Sequence, residues 1–140
     1  MSRHLPSWAH FSVKGTAKYL GFYLGTSASA AQWGAPLAKY SDRVQAIYQS
    51  GAAISISAYT YNVCVLPVML YVAQLVPLPK EAKGAERKAL YQVTHFAGSS
   101  LNLSAFFHLD SVGGPKLRSL ESSAREAMMR TATQIVPDWP

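Results

Sequence analysis

The chain has 140 residues, 49% of them hydrophobic and 14% charged, with 13 Lys and Arg against 7 Asp and Glu for a formal net charge of +6. Three Trp, eight Tyr and five Phe supply enough apolar surface to offset the entropy of ordering one domain, which excludes an intrinsically disordered chain. The single cysteine, Cys64, excludes an internal disulfide framework and a thiolate zinc ribbon, so an intracellular compartment, cytoplasm or nucleus, is expected.

Residues 1–10 (MSRHLPSWAH) lack periodicity and are expected to form a disordered lead-in, leaving 11–140 as a single helical domain. Pro6, Ser7 and His10 interrupt any apolar stretch of signal-peptide length there. In 11–25, Phe11 and Val13 precede Gly15-Thr16, while Tyr19, Leu20, Phe22, Tyr23 and Leu24 follow it, a pattern that predicts a β-hairpin. Thr26, Ser27 and Ser29 then offer N-caps to an amphipathic helix on which Trp33, Leu37, Tyr40, Val44, Ile47 and Tyr48 share a face. Pro36 has to lie in its first turn, where no N–H is required, or kink it, and Gly51 ends it.

Residues 52–76 read as a second, largely buried helix, bent or divided at Pro67 and closed by Pro77 and Pro79. Its Val65, Leu66, Val68, Leu70 and Val72 are expected to pack against the helix carrying Leu37, Val44 and Ile47. A third helix, about 80–97, places Ala82, Ala85, Ala89, Val93 and Phe96 along one side, with Lys80, Lys83, Arg87 and Lys88 as solvated cations. Residues 101–109 are too short to assign. After the turn at Val112-Gly113-Gly114-Pro115, Leu117, Leu120, Ala124, Met128 and Thr131 mark a fourth helix to about residue 136. The expected fold is therefore mainly α, an N-terminal β-hairpin followed by about four helices in a small bundle.

From 44 to 79 there are 36 consecutive uncharged positions, more than the roughly 20 that a transmembrane helix needs. Polar groups and breakers run all through this stretch, among them Gln45, Gln49, Ser57, Thr60, Asn62, Pro67 and Gln74. That composition favours a buried core helix, with no membrane partner. A small helical membrane protein crossing once near 59–76 is the alternative, and an orphan structural helical domain is a further one.

Catalytic chemistry finds little support. Metal-assisted phosphoryl or nucleotidyl transfer needs clustered carboxylates, whereas Asp42, Asp110 and Asp138 are isolated in sequence. His4, His10, His95 and His108 lack metal-ligand spacing, and Gly21 and Gly25 lack the GK[ST] ending of a phosphate loop. Cys64, between Val63, Val65 and Leu66, reads as a small buried hydrophobe. No metal and no cofactor are expected.

Lys18-Tyr19-Leu20-Gly21, with Leu24-Gly25 close behind, resembles the segment just downstream of the polymerase palm in non-LTR (LINE-type) retrotransposon reverse transcriptases. The resemblance continues in order through Trp33, Pro36-Leu37, Lys39, Arg43, Tyr61-Asn62, Val65-Leu66-Pro67-Val68 and Tyr71-Val72. It then passes Gln74-Leu75, Pro77-Leu78-Pro79, His108-Leu109, Gly113-Gly114-Pro115 and Leu117 to Leu120, and so covers roughly residues 14–139. Arg130-Thr131-Ala132 and Pro137 to Trp139 look most similar to protist-type elements.

The resemblance implies a thumb and connection segment that presents cations to the primer and template backbone. It also implies no catalysis of its own, because the palm with its paired metal-binding aspartates has no counterpart here. The implied partners are an RNA–DNA duplex, bound without sequence preference, and the palm and fingers of the polymerase. Lys18, Lys39 and Arg43 are the candidate phosphate contacts. Tyr19, Trp33 and Tyr40 could stack bases, although aromatics at such spacings more commonly belong to the core.

Overall fold

The computed structural model describes residues 15–25, 28–98 and 100–135, and the chain divides into two compact units, 1–32 and 33–140. The single domain expected over 11–140 spans both units. The lead-in 1–10, Phe11, Val13 and the candidate caps Thr26 and Ser27 lie outside the described residues.

In the first unit, β1 (Ala17–Tyr19) pairs antiparallel with β2 (Phe22–Leu24), in a register that sets Lys18 opposite Tyr23. The chain reverses at Leu20-Gly21 rather than at the expected Gly15-Thr16. Both turn residues have positive φ, 48° and 88°, as the tightest two-residue hairpin requires. Gly25 is a further constraint, because a Cβ there would lie 2.2 Å from the Gly15 carbonyl oxygen. The short helix α1 (Ala28–Ala31) follows. Just after it, the side chain of Gln32 accepts the Tyr23 N–H at 2.7 Å and donates to the Gly21 carbonyl at 3.5 Å.

The second unit is helical. Helix α2 (Gly34–Ser50) holds Pro36 in its first turn and ends at Gly51 in the left-handed conformation, φ 61°. Trp33 occupies the N-cap position without a side-chain cap, so the expected hydroxyl caps do not start this helix. Tyr40, Val44 and Ile47 face inward, whereas Tyr48 is exposed and stacks on His95 with ring centroids 5.4 Å apart.

A continuous helical segment, Ile54–Ala73, comprises α3 (Ile54–Thr60), a π turn (Tyr61–Val65) and α4 (Leu66–Ala73). Pro67, at the second position of α4, has no N–H to give the usual ladder, and one residue earlier the Leu66 N–H reaches back five residues to the Tyr61 carbonyl. Tyr61, Val65, Leu66, Met69 and Ala73 have no solvent exposure. Val68 and Leu70, expected to be buried, are only half-buried. Cys64 is exposed, contrary to expectation, because the apolar run wraps a helix with an outward side that Val63 also occupies.

Helix α5 (Ala82–Thr94) buries Ala82, Ala89, Leu90 and Val93. It stops at His95, whose φ of 56° turns the chain, so Phe96 leaves the expected helix and instead approaches Phe106 at 6.1 Å between rings. The short α6 (Leu103–Phe106) and a 3-10 turn (Leu109–Val112) fill the stretch left unassigned from sequence. At Gly114 a Cβ would sit 2.8 Å from the Leu109 carbonyl oxygen. Helix α7 (Leu120–Ile135) starts three residues later than Leu117, though Leu117 is itself buried with Leu120 and Ala124.

Four long helical segments thus follow the hairpin, as expected. Helix α4 packs against α2 and α7, and α2 also packs against α5. Polar groups tie the pieces together. Asn62 donates to the Lys116 carbonyl at 2.8 Å and accepts the Arg118 N–H at 3.0 Å, binding the π turn to the approach to α7. Buried Tyr40 and Tyr61 share a hydroxyl hydrogen bond of 3.0 Å, and burial pushes both phenols above their ordinary range. Buried Glu86 accepts the Leu120 N–H at 2.5 Å and so satisfies the N-terminus of α7 from α5.

Leu66→Ala should cost about 2–5 kcal/mol in urea unfolding, through lost contacts and the cavity left behind. A loss below about 1 kcal/mol would show that this site is not enclosed. Burial also holds the Glu86 carboxyl above its ordinary 4.5, while the Leu120 N–H pulls the other way. The folded chain therefore keeps this proton longer than the unfolded chain does. The contribution of Glu86 to stability is greatest below the ordinary value and is lost as pH rises from 4.5 through the folded-state value. Glu86→Gln keeps the acceptor without the titration, so parent stability minus variant stability should fall as pH rises above 4.5. A flat or rising difference would contradict the burial of a titrating carboxyl.

Candidate nucleic-acid interface

The three cations selected from sequence fall on both units, Lys18 on the hairpin and Lys39 with Arg43 on α2. Lys18 is exposed, and its Nζ lies 5.7 Å from the centroid of the Tyr23 ring across the strand pair. This cross-strand cation–π contact steadies the lysine without neutralising it. Beside it, Tyr19 and Leu20 are among the most exposed large apolar side chains described, at 65% and 72%. Tyr19 is thus open to stack on a planar partner. Trp33 and Tyr40 are buried in the bundle and are not.

Lys39 and Arg43 stand four apart on α2, where helical geometry puts them one turn from each other on one side. Both are exposed, and neither forms an ion pair among the described residues. They differ in attachment. Arg43 Nη1 donates to the Cys64 carbonyl in the turn widened ahead of Pro67. A guanidinium has five donors, so this bond fixes the group while leaving most of its donors outward. Lys39 carries no such tie.

Arg43 also lines a cleft of about 640 Å³ between α2 and the 52–65 stretch, together with residues that include Ile47, Ile56, Ser57 and Val63. Asp42 lines instead a smaller cleft on the α5 side, of about 190 Å³, that includes Lys88. Among the described residues no group of three His, Cys, Asp or Glu side chains is placed to hold a metal ion. The two-bond clamp of Asn62 and the buried carboxyl of Glu86 are structural features that the sequence reading did not single out. Glu86 was legible, because it lies at the same four-residue spacing as Ala82 and Leu90 on α5. In comparison with known proteins, no family model matches the chain, and neither a curated protein nor a solved structure matches it.

Proposed function

We propose that the chain is a thumb-like, non-catalytic part of a retrotransposon RNA-directed DNA polymerase that grips the backbone of a primer–template duplex. The observation that carries this reading is the pair Lys39 and Arg43, exposed on one side of α2 and unopposed by an ion-paired acid among the described residues. The net charge of +6 supports it, as does the ordered resemblance from Lys18-Tyr19-Leu20-Gly21 to Pro137 and Trp139. Lys18, exposed on the hairpin of the first unit, is a separate candidate phosphate contact. Contacts of this kind read phosphates rather than bases, so the binding is independent of sequence and sensitive to salt.

A second reading rests on the helix Ile54–Ala73, whose 20 residues and mean hydropathy of 1.5 suffice to cross a membrane. Ile56, Tyr59, Val63 and Tyr71 are exposed along it, and these side chains would face lipid. Against it stand Asn62 and the five fully buried side chains on the same helix, which would have to exchange bundle partners for lipid.

Binding of an RNA–DNA duplex by the parent should weaken linearly with the logarithm of salt concentration. Lys39→Ala should lower that slope by about 1, and Lys39→Ala with Arg43→Ala by about 2. The melting temperatures of the variants are read alongside, since Arg43 also bonds the Cys64 carbonyl. An unchanged slope in a folded double variant would mean that these cations serve only as solvated surface.

A further inference from the structure

Lys83 and Arg87 stand one turn apart on the exposed side of α5, with Gly84 beside Lys83. Opposite them the 100–103 stretch closes a cleft of about 660 Å³, whose lining includes Ser100, Asn102 and Leu103 and holds no acid. That volume is in the range of small-ligand sites. The far wall is fixed, because the Tyr91 hydroxyl donates to the Leu101 carbonyl at 2.5 Å and the Tyr91 ring meets Phe106 edge-on at 5.0 Å. Neither Lys83 nor Arg87 is in an ion pair among the described residues. The Glu86 carboxyl between them in sequence is turned to the Leu120 N–H.

Gly84 is the unexplained residue of this helix. A Cβ there would meet nothing within 4 Å, so packing does not ask for glycine, and glycine weakens a helix interior relative to alanine. Its effect is to leave bare backbone in the lining of the cleft beside Lys83 and Arg87, of which Lys83 also lies within electrostatic reach of Glu86. We propose that this cleft binds a phosphate ester, with Lys83 and Arg87 as its charge partners, Gly84 admitting close approach, and Ser100 and Asn102 as polar contacts. A mononucleotide and the phosphorylated end of a nucleic-acid strand share this chemistry. The site is separate from Lys39 and Arg43 and goes beyond the duplex contact proposed for them.

The test is calorimetric titration of the full chain with pyrophosphate, adenosine 5′-monophosphate, adenosine, and a short single strand with and without a 5′-phosphate. The probes with a terminal phosphate should bind saturably, and adenosine and the strand that carries only internal phosphodiesters should bind far more weakly. Lys83→Ala with Arg87→Ala should weaken phosphate binding by about tenfold or more, while Lys116→Ala, an exposed cation on neither surface, should leave it unchanged. Gly84→Leu, a better helix former, should melt at or above the parent temperature and still bind more weakly. Tighter binding of the mononucleotide than of the phosphorylated strand assigns the site to nucleotides, and the reverse assigns it to strand ends. No saturable binding of any phosphate probe, or parent-like affinity in the Lys83/Arg87 or Gly84 variants, would overturn the proposal. Loss of duplex binding in the Lys39/Arg43 variant bears on the other surface alone.

Discussion

The second unit is organised around the inward face of the Ile54–Ala73 helix, where Tyr61, Val65, Leu66, Met69 and Ala73 lose all contact with water. Packing of α2 and α7 against α4 is what encloses them. Burying a long uncharged helix is favourable only if its polar groups find partners, because an unmet donor or acceptor in the interior costs about 1–3 kcal/mol. Ser57 Oγ donates to the Ala52 carbonyl at 3.2 Å, Thr60 Oγ1 to the Ile56 carbonyl at 2.9 Å, and Asn62 takes two bonds from the approach to α7. The Tyr40 and Tyr61 hydroxyls satisfy each other. No buried side-chain nitrogen or oxygen is left without a partner among the described residues.

The same enclosure sends the charges outward. Helices α2 and α5 pack together through Val44, Ala89 and their neighbours, so each helix is left with a solvated side that carries a pair of cations one turn apart. On α2 the pair is Lys39 and Arg43, with Arg43 tied to the backbone at the π turn. On α5 it is Lys83 and Arg87, with Gly84 leaving the backbone open between the helix and the 100–103 stretch. One device, an apolar helix face backed by a cationic one, thus yields two exposed cationic surfaces. The first lies along α2 beside the cleft that Arg43 lines, and the second lies in the cleft between α5 and the 100–103 stretch.

Periodicity made much of this legible. The spacing of Trp33, Leu37, Tyr40, Val44 and Ile47 located α2, and Gly51 its end, because glycine acts through local backbone geometry that needs no tertiary information, whereas the helix starts at Gly34, beyond the hydroxyl caps expected for it. The helix break was legible at Pro67, although its form as a π turn was not. Other features depend on contacts distant in sequence. His95 in the left-handed region, the 3-10 turn after Leu109 and the exposure of Val63 and Cys64 follow from which neighbours arrive, and no local pattern encodes that. The hairpin turn was misplaced because Gly15 looked the better reversal, yet Gly21 follows Leu20 in the positive-φ pair that a two-residue loop demands. For the candidate interface, exposure of Lys39 and Arg43 followed from helical phase, while the bond from Arg43 to the Cys64 carbonyl required the fold.

The account stands on Ile54–Ala73 being the enclosed centre of a bundle in water, and native-state amide hydrogen exchange in detergent-free buffer measures that directly. The amides of Val65, Leu66, Met69 and Val72 should be the slowest in the chain, exchanging only through global unfolding, and adding lipid vesicles should leave their rates unchanged. Fast exchange of these amides in buffer, with protection appearing only when lipid is added, would contradict the account and place this helix in a membrane.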